Sequence, residues 1–338
     1  MSSTSFHERN KALVAPLREA LYRGCGKAIR NALARLMAPE ARIRLGAPFE
    51  EMTGPEALWE QVYQPLASAM PGFERRDFIV MAGASETGAR TGDWVGIGGN
   101  LIGALAAPWL GIRAQSKPVF MRYHEYYRIE SDRIVEMEGL WDIPQVMRQI
   151  DAWPMAEQRG VEWMCPGPAD GGGTLAKAYD AQRSQASVQV VRRMLDDLGQ
   201  QATESPERGL ADHWHPECLW YGPTGIGSAR GHSDLWKSVF SGFRSGLSDN
   251  RRHLDEGVFF GDGDLVAFTG WPSGTATHSG EGFLGLAPTG RRISRRSLDF
   301  WRIEDGLIRE NWVLVDMIDL YRQLGVDIFA RMHALARH

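Results

Sequence analysis

The chain has 338 residues, 43% of them hydrophobic and 24% charged, with a formal net charge of −4. That is the make-up of an ordinary globular protein, and its acidic balance gives no reason to expect nucleic acid or an anionic membrane as partner. At roughly 100–200 residues per domain, the length fits two domains.

Cys25, Cys165 and Cys218 are too few and too widely spaced for a zinc pattern or a disulfide framework. The first residues lack the apolar stretch of a signal peptide, and no apolar run approaches the ~20 residues of a membrane span. The expected location is cytoplasmic.

In chain order, apolar spacing predicts amphipathic helices over roughly 5–36. Met37-Ala38-Pro39-Glu40 then leads into a short strand, and Gly54-Pro55-Glu56-Ala57-Leu58-Trp59 opens a helix with Thr53 as N-cap. Gly96-Ile97-Gly98-Gly99-Asn100-Leu101-Ile102-Gly103 looks like a dinucleotide loop, but its spacing is not Gly-x-Gly-x-x-Gly and no βαβ unit surrounds it. It reads as sheet. The Pro- and Gly-rich stretch 154–174 reads as a linker between domains at 1–153 and 175–338.

Beyond it come helices over roughly 183–213. Trp214-His215-Pro216-Glu217 precedes a strand, and Gly231-His232-Ser233-Asp234-Leu235-Trp236 opens a helix with Ser233 as N-cap. Strands are expected near 252–260, 264–272, 279–287, 291–303 and 307–316, with turns at Gly261-Asp262-Gly263 and Glu304-Asp305-Gly306. The basic run Arg291, Arg292, Arg295 and Arg296 reads as a solvated strand face, not a phosphate site.

One pattern occurs twice. Asp299-Phe300-Trp301-Arg302-Ile303, a turn and the strand 307–312 end at Asp316. Earlier, Glu125-Tyr126-Tyr127-Arg128-Ile129, a turn and the strand 133–136 close on Asp142. With the helix openers also recurring in order, this is a duplicated domain, not a solenoid with its units of ~20–50 residues. Helices first and an antiparallel meander after give an α+β fold.

If Glu304-Asp305-Gly306 is a three-residue loop, Ile303 faces Leu307, and Arg296, Leu298, Phe300, Glu310, Trp312, Leu314 and Asp316 share one side of the sheet. The same rule gathers Arg122, His124, Tyr126, Glu136, Glu138 and Asp142 in the first unit and sets His124 opposite Glu138.

Over about 175–325 the chain resembles the SnoaL-like polyketide cyclases of the NTF2-like superfamily. The residues are Gly274-Thr275-Ala276-Thr277-His278-Ser279-Gly280-Glu281, Gly285, Pro288-Thr289-Gly290-Arg291, Arg302, Asp305-Gly306, Ile308, Glu310, Trp312, Asp316 and Gln323-Leu324-Gly325. The resemblance implies two tandem cones, each a curved antiparallel sheet wrapped over helices and paired through their sheets within the chain. A homodimer is left open. The first unit departs from the motif, with Ala104 near the place of His278 and Ala114-Gln115-Ser116 for Pro-Thr-Gly.

The resemblance further implies an intramolecular aldol ring closure without metal or cofactor, on a hydrophobic carbonyl compound. Asp316 would be its acid–base carboxylate, with pKa raised by apolar neighbours. Asp is equally a favoured helix N-cap. His278 would bind a carbonyl or orient the acid, or be a half-buried structural residue. Trp220, Tyr221, Phe300, Glu310 and Trp312 would line the pocket, with Glu310 otherwise paired to Arg296 or Arg302. His124, Glu138 and Asp142 form either a second acid–base cluster, with the charged histidine favoured, or a polar network holding the sheet. They lack the histidine pair or cysteine of a metal site. A hydrolase or isomerase using the same carboxylate, or a non-catalytic small-molecule-binding module, remain the alternatives.

Overall fold

The computed structural model describes residues 3–85, 90–175, 177–200 and 206–335. The first half begins with α1 (Ser3–Tyr22) and α2 (Gly26–Leu36), broken where Gly24 takes φ +58°. There follow β1 (Met37–Leu45), β2 (Glu51–Thr53), α3 (Gly54–Leu58), a π-helical turn (Trp59–Tyr63) and α4 (Gln64–Ala69). The strands β3 (Glu74–Ser85), β4 (Gly92–Leu105), β5 (Gln115–Glu130) and β6 (Arg133–Trp141) then lead to α5 (Ile143–Gln149).

The second half repeats the plan. It has α6 (Ala181–Gln200), α7 (Pro206–Ala211), β7 (Trp214–Tyr221), β8 (Ala229–Arg230), α8 (Gly231–Leu235), a π-helical turn (Trp236–Phe240) and α9 (Ser241–Gly246). Next come β9 (Leu247–Arg252), β10 (Val258–Asp262), β11 (Leu265–His278), β12 (Arg292–Glu304), β13 (Leu307–Val315), α10 (Met317–Gln323) and α11 (Ile328–Leu335). Sheet orders are β2-β1-β6-β5-β4-β3 and β8-β7-β13-β12-β11-β10, with β9 also on β11. Each is a curled, mostly antiparallel sheet over helices, and in each the first strand joins the last in parallel.

Several local expectations are corrected. Residues 279–287 are a loop, because Gly282, Leu284 and Gly285 all take positive φ and break the extended chain. Thr53 stands at an N-cap without a side-chain bond, and Arg230, not Ser233, precedes α8. The repeated hairpins turn through two residues, Ser131-Asp132 and Asp305-Gly306, all at positive φ. One residue is then bulged, Val135 in the first hairpin and Arg309 in the second. Phe300 therefore faces Trp312 and Tyr126 faces Glu138, two residues from the expected register. His124 lies opposite Leu140, not Glu138. A shift of two keeps every side chain on its expected face.

That shared face is where the two halves meet. Phe300 packs edge-on to His124 and Tyr126 at centroid distances of 5.0 and 5.1 Å. It fits because β4 has glycines beneath it: a Cβ on Gly96 or Gly98 would stand 2.9 or 3.0 Å from its ring. The glycine run that mimics a nucleotide loop is the seat for this ring. Leu140, Tyr221, Leu298, Trp312 and Leu314 complete the seam core.

Polar contacts lock the same surface. The buried Arg122 guanidinium donates to the carbonyls of Tyr221, Gly222 and Val313 at 2.7, 2.6 and 2.9 Å. Residues 154–174 lie across the seam, where the Cys165 carbonyl accepts from Asn100 and the Pro166 carbonyl from the Trp312 indole. Gly98→Val drives a branched side chain into Phe300. It is expected to lower unfolding free energy in urea by about 1–3 kcal/mol, although a strand glycine otherwise gains from a β-branched replacement.

Candidate functional site

A cavity of about 450 Å³ lies inside the second cone. Its wall comes from α6 (Met194, Leu195), β7 (Trp214, Trp220), the π-helical turn (Trp236, Phe240) and the inward face of β12 and β13. Exposed Arg244 and Asp249 mark the mouth. Alternation along β12 sends Arg295, Ser297, Asp299 and Trp301 inward, and Asn311, Val313 and Val315 line the neighbouring strand. Asp299, which sequence reasoning did not single out, is the buried acid of this cavity.

Asp299 accepts a hydrogen bond from the Ser297 hydroxyl at 3.0 Å and, among the described residues, makes no ion pair. Burial raises its pKa to about 7, against the lowering pull of the Ser297 bond and of Arg252, Arg122 and Arg295. An acid with this value exchanges protons near neutral pH.

The first cone shows what this position does when closed. Glu125 occupies the place of Asp299 in the repeated hairpin. It pairs with Arg75 at 2.6 Å and accepts hydrogen bonds from the Trp141 indole at 2.9 Å, Tyr63 at 3.3 Å and Tyr127. The corresponding residues of the second cone are Arg252, Val315, Phe240 and Trp301, all on the cavity wall. Replacing Tyr63 by Phe240 and Trp141 by Val315 removes two donors. Trp301 in place of Tyr127 leaves its indole N–H unbonded among the described residues, and Asp is one methylene shorter than Glu. The acid is thereby released from its structural partners into open space.

The residues proposed from sequence fall elsewhere, Trp220 excepted. Trp220 lines the cavity; its neighbour Tyr221 points to the seam and stacks on Trp312 at 5.3 Å. Phe300 and Trp312 are seam core. Glu310 is ion-paired to Arg302 and accepts from the Ala169 amide at 3.1 Å. The shared face was correctly grouped, but it is the outer face of the cone.

Asp316 is outside the cavity wall as well. Its Oδ1 accepts from the Asp319 amide, capping α10, and its Oδ2 accepts from the Ala47 amide of the other half at 2.9 Å. Asp142 mirrors it, accepting from the Thr224 amide at 3.0 Å. Burial raises both to about 6, but each carboxylate clasps the opposite half.

His278 ends β11, also away from the cavity. Its Nδ1 lies 3.1 Å from the Thr289 hydroxyl and its carbonyl accepts from Gly290, so it holds the Pro288-Thr289-Gly290 turn. Burial lowers its pKa.

His124, Glu138 and Asp142 do not form one cluster. His124 Nδ1 bonds the Leu298 carbonyl at 2.8 Å, and Glu138 pairs with Arg44 at 2.6 Å and with Arg90. The expected charged histidine is reversed: burial and Arg122 push its pKa well down. Among the described residues no group of His, Cys, Asp and Glu could hold a metal ion. No helix among them is long and apolar enough to cross a membrane. The basic run also divides: Arg291 and Arg292 are exposed, whereas Arg295 lines the cavity and Arg296 pairs with Glu50 and Asp316 at the seam.

Curled sheets over helices, with the first strand beside the last, give both halves the same α+β cone architecture. Residues 189–324 match the model of the SnoaL-like polyketide cyclase family. The match covers less than half of the chain and leaves the first cone outside it. Similar solved structures include IdmH from Streptomyces antibioticus, 21% identical over 42% of this chain and 99% of that one, with a TM-score of 0.35. A SnoaL-like protein from Jannaschia sp. CCS1 is 22% identical over 43% and 94%, with a TM-score of 0.36. An NTF2-like protein from Burkholderia xenovorans LB400 is 18% identical over 42% and 97%, with a TM-score of 0.32. No curated protein matches the chain.

The two acids have separable consequences. Because the folded pKa of Asp299 lies above its ordinary 3.8, the native state holds that proton more tightly than the unfolded chain. Stability therefore falls as pH rises from about 4 to 7. Asp299→Asn is expected to stabilise the protein above pH 7 by up to about 2–4 kcal/mol, and not below pH 4, in denaturant titrations at each pH. Asp316→Ala is expected to destabilise at pH 7 by about 1–3 kcal/mol through loss of the cap and the clasp.

Proposed function

We propose that the second cone is a cofactor-independent acid–base enzyme acting on a hydrophobic carbonyl compound, of the ring-closing aldol kind. The observation that carries this reading is Asp299, a buried acid with pKa about 7 on the wall of a 450 Å³ cavity, with no ion pair among the described residues to neutralise it. The volume is that of ordinary small-molecule sites, ~300–1,000 Å³.

The Asp299 carboxylate takes a proton from carbon α to a substrate carbonyl, and the electron pair moves onto that carbonyl oxygen as an enolate. The enolate carbon attacks a second carbonyl of the same molecule, forming the ring bond. The resulting alkoxide recovers the proton, directly or through water, and Asp299 returns to its carboxylate. One proton-transferring group suffices for the cycle, so no metal or cofactor enters this reading. The apolar wall from Trp214, Trp220, Trp236 and Phe240 keeps the nascent enolate from bulk water.

The first step can be read without the natural substrate, by following α-hydrogen exchange of 2-tetralone in deuterium oxide by NMR. The full chain is expected to accelerate exchange, with kcat/KM rising to a plateau above pH 7 as the base ionises. Asp299→Asn should lose about 100-fold or more. Asp316→Asn, if folded, should keep the rate. Undiminished exchange in Asp299→Asn, or its abolition in folded Asp316→Asn, would remove Asp299 from the role.

A further inference from the structure

Two arginines line the cavity beside Asp299, and both stand where the repeat gives them meaning. In the first cone Arg75 faces Leu101 across β3 and β4, and Leu101 faces Met121 on β5, four residues before Glu125. In the second, Arg252 faces Gly274 across β9 and β11, and Gly274 faces Arg295 on β12, four residues before Asp299. Arg252 is thus the counterpart of Arg75, and Arg295 is a second cation placed where the first cone has a methionine. Gly274 makes room for it, since a Cβ there would stand 2.5 Å from Arg295 Nη2.

Arg75 has its carboxylate at 2.6 Å. Among the described residues neither Arg252 nor Arg295 has an ion pair, and the only side-chain hydrogen bond of the two runs from Arg295 Nη2 to Asn250 at 2.6 Å. We infer that the second cone grips a carboxylate of its ligand between Arg252 and Arg295, in the place the first cone fills with its own Glu125. This rests on the cavity being a small-molecule site, and not on Asp299 being the base.

The charge balance supports an anion. Asp249 at the mouth is taken up by the Thr277 amide and hydroxyl, and Arg244 is exposed. The inner wall therefore carries two guanidinium groups against one carboxyl that titrates near neutral pH. Burial and the nearby Arg252 lower the Arg295 pKa to about 9. Two like charges held in a low-dielectric pocket gain from an anion between them, and a carboxylate suits the planar fork of each guanidinium. With the tryptophan wall beside them, the ligand class is a hydrophobic, aromatic or polycyclic carboxylic acid.

Isothermal titration of the full chain at pH 8 with 2-naphthoate and its uncharged analogue 2-naphthamide tests this. The acid is expected to bind about 10-fold more tightly or better than the amide. Arg252→Met and Arg295→Met should each bring the ratio close to one while leaving the amide affinity in place, which shows the cavity still formed. Arg295→Lys should keep part of the preference. Asp299→Asn should tighten naphthoate, since a competing negative charge is gone. Equal binding of acid and amide by the unmodified protein, a preference that survives both methionine variants, or no binding of either compound would overturn the inference. A preserved acid preference together with full α-hydrogen exchange in Asp299→Asn would overturn the base assignment alone.

Discussion

Side-chain alternation along β5 and β12 is the constraint from which the rest follows. Each strand is shared between two environments, and successive residues belong to opposite ones. On β12, Leu298 and Phe300 go to the seam, while Arg295, Ser297, Asp299 and Trp301 go to the cone. On β5, His124 and Tyr126 go to the seam and Tyr123, Glu125 and Tyr127 go inward. A one-residue slip would put Phe300 into the cavity and Asp299 against β4. The glycine seat under Phe300, the Arg122 contacts and the reciprocal clasps of Asp142 and Asp316 together fix the register on which the cavity depends.

The two halves, built on one strand plan, act as an internal comparison. One backbone frame holds Glu125 in a closed network of arginine, indole and tyrosine hydroxyls, and holds Asp299 with one serine hydroxyl and space. The chemistry differs because of a few substitutions at equivalent places: Tyr63 against Phe240, Tyr127 against Trp301, Trp141 against Val315, Met121 against Arg295. Phe240 and Val315 remove donors, Trp301 carries an indole N–H that does not reach the acid, and Arg295 adds a cation. A carboxylate satisfied by an arginine and three further donors contributes to the fold and has no freedom to react. A carboxylate lacking them is costly at neutral pH and available to a ligand.

Much of this was legible in the sequence. The two units, their helices and the repeated hairpin stand out from patterning, and even the grouping of residues by face survives the incorrect turn. The shorter turn and the bulge moved the register by two, which preserves parity. Which face lines the cavity was not legible, because Leu298, Phe300, Trp312 and Leu314 form an apolar stripe that looks like a cone interior. They are core, but of the seam. The terminal Asp316 drew attention through its motif, although the same residue type caps helices and accepts amides from a facing loop. Asp299 was present in the first line of the repeat. Its signal was the company it keeps on alternate positions, Arg295, Ser297 and Trp301, a mixture too polar for a packed interior. That signal becomes readable only once the other face is assigned to the partner domain.

The seam has one more consequence. Residues 154–174 join the halves and lie across their contact, so docking is an intramolecular event at an effective concentration set by the chain itself. Two separate cones would rely on encounter, and dilution would bare the back of β12. Here the wall behind Asp299 keeps its support at any protein concentration.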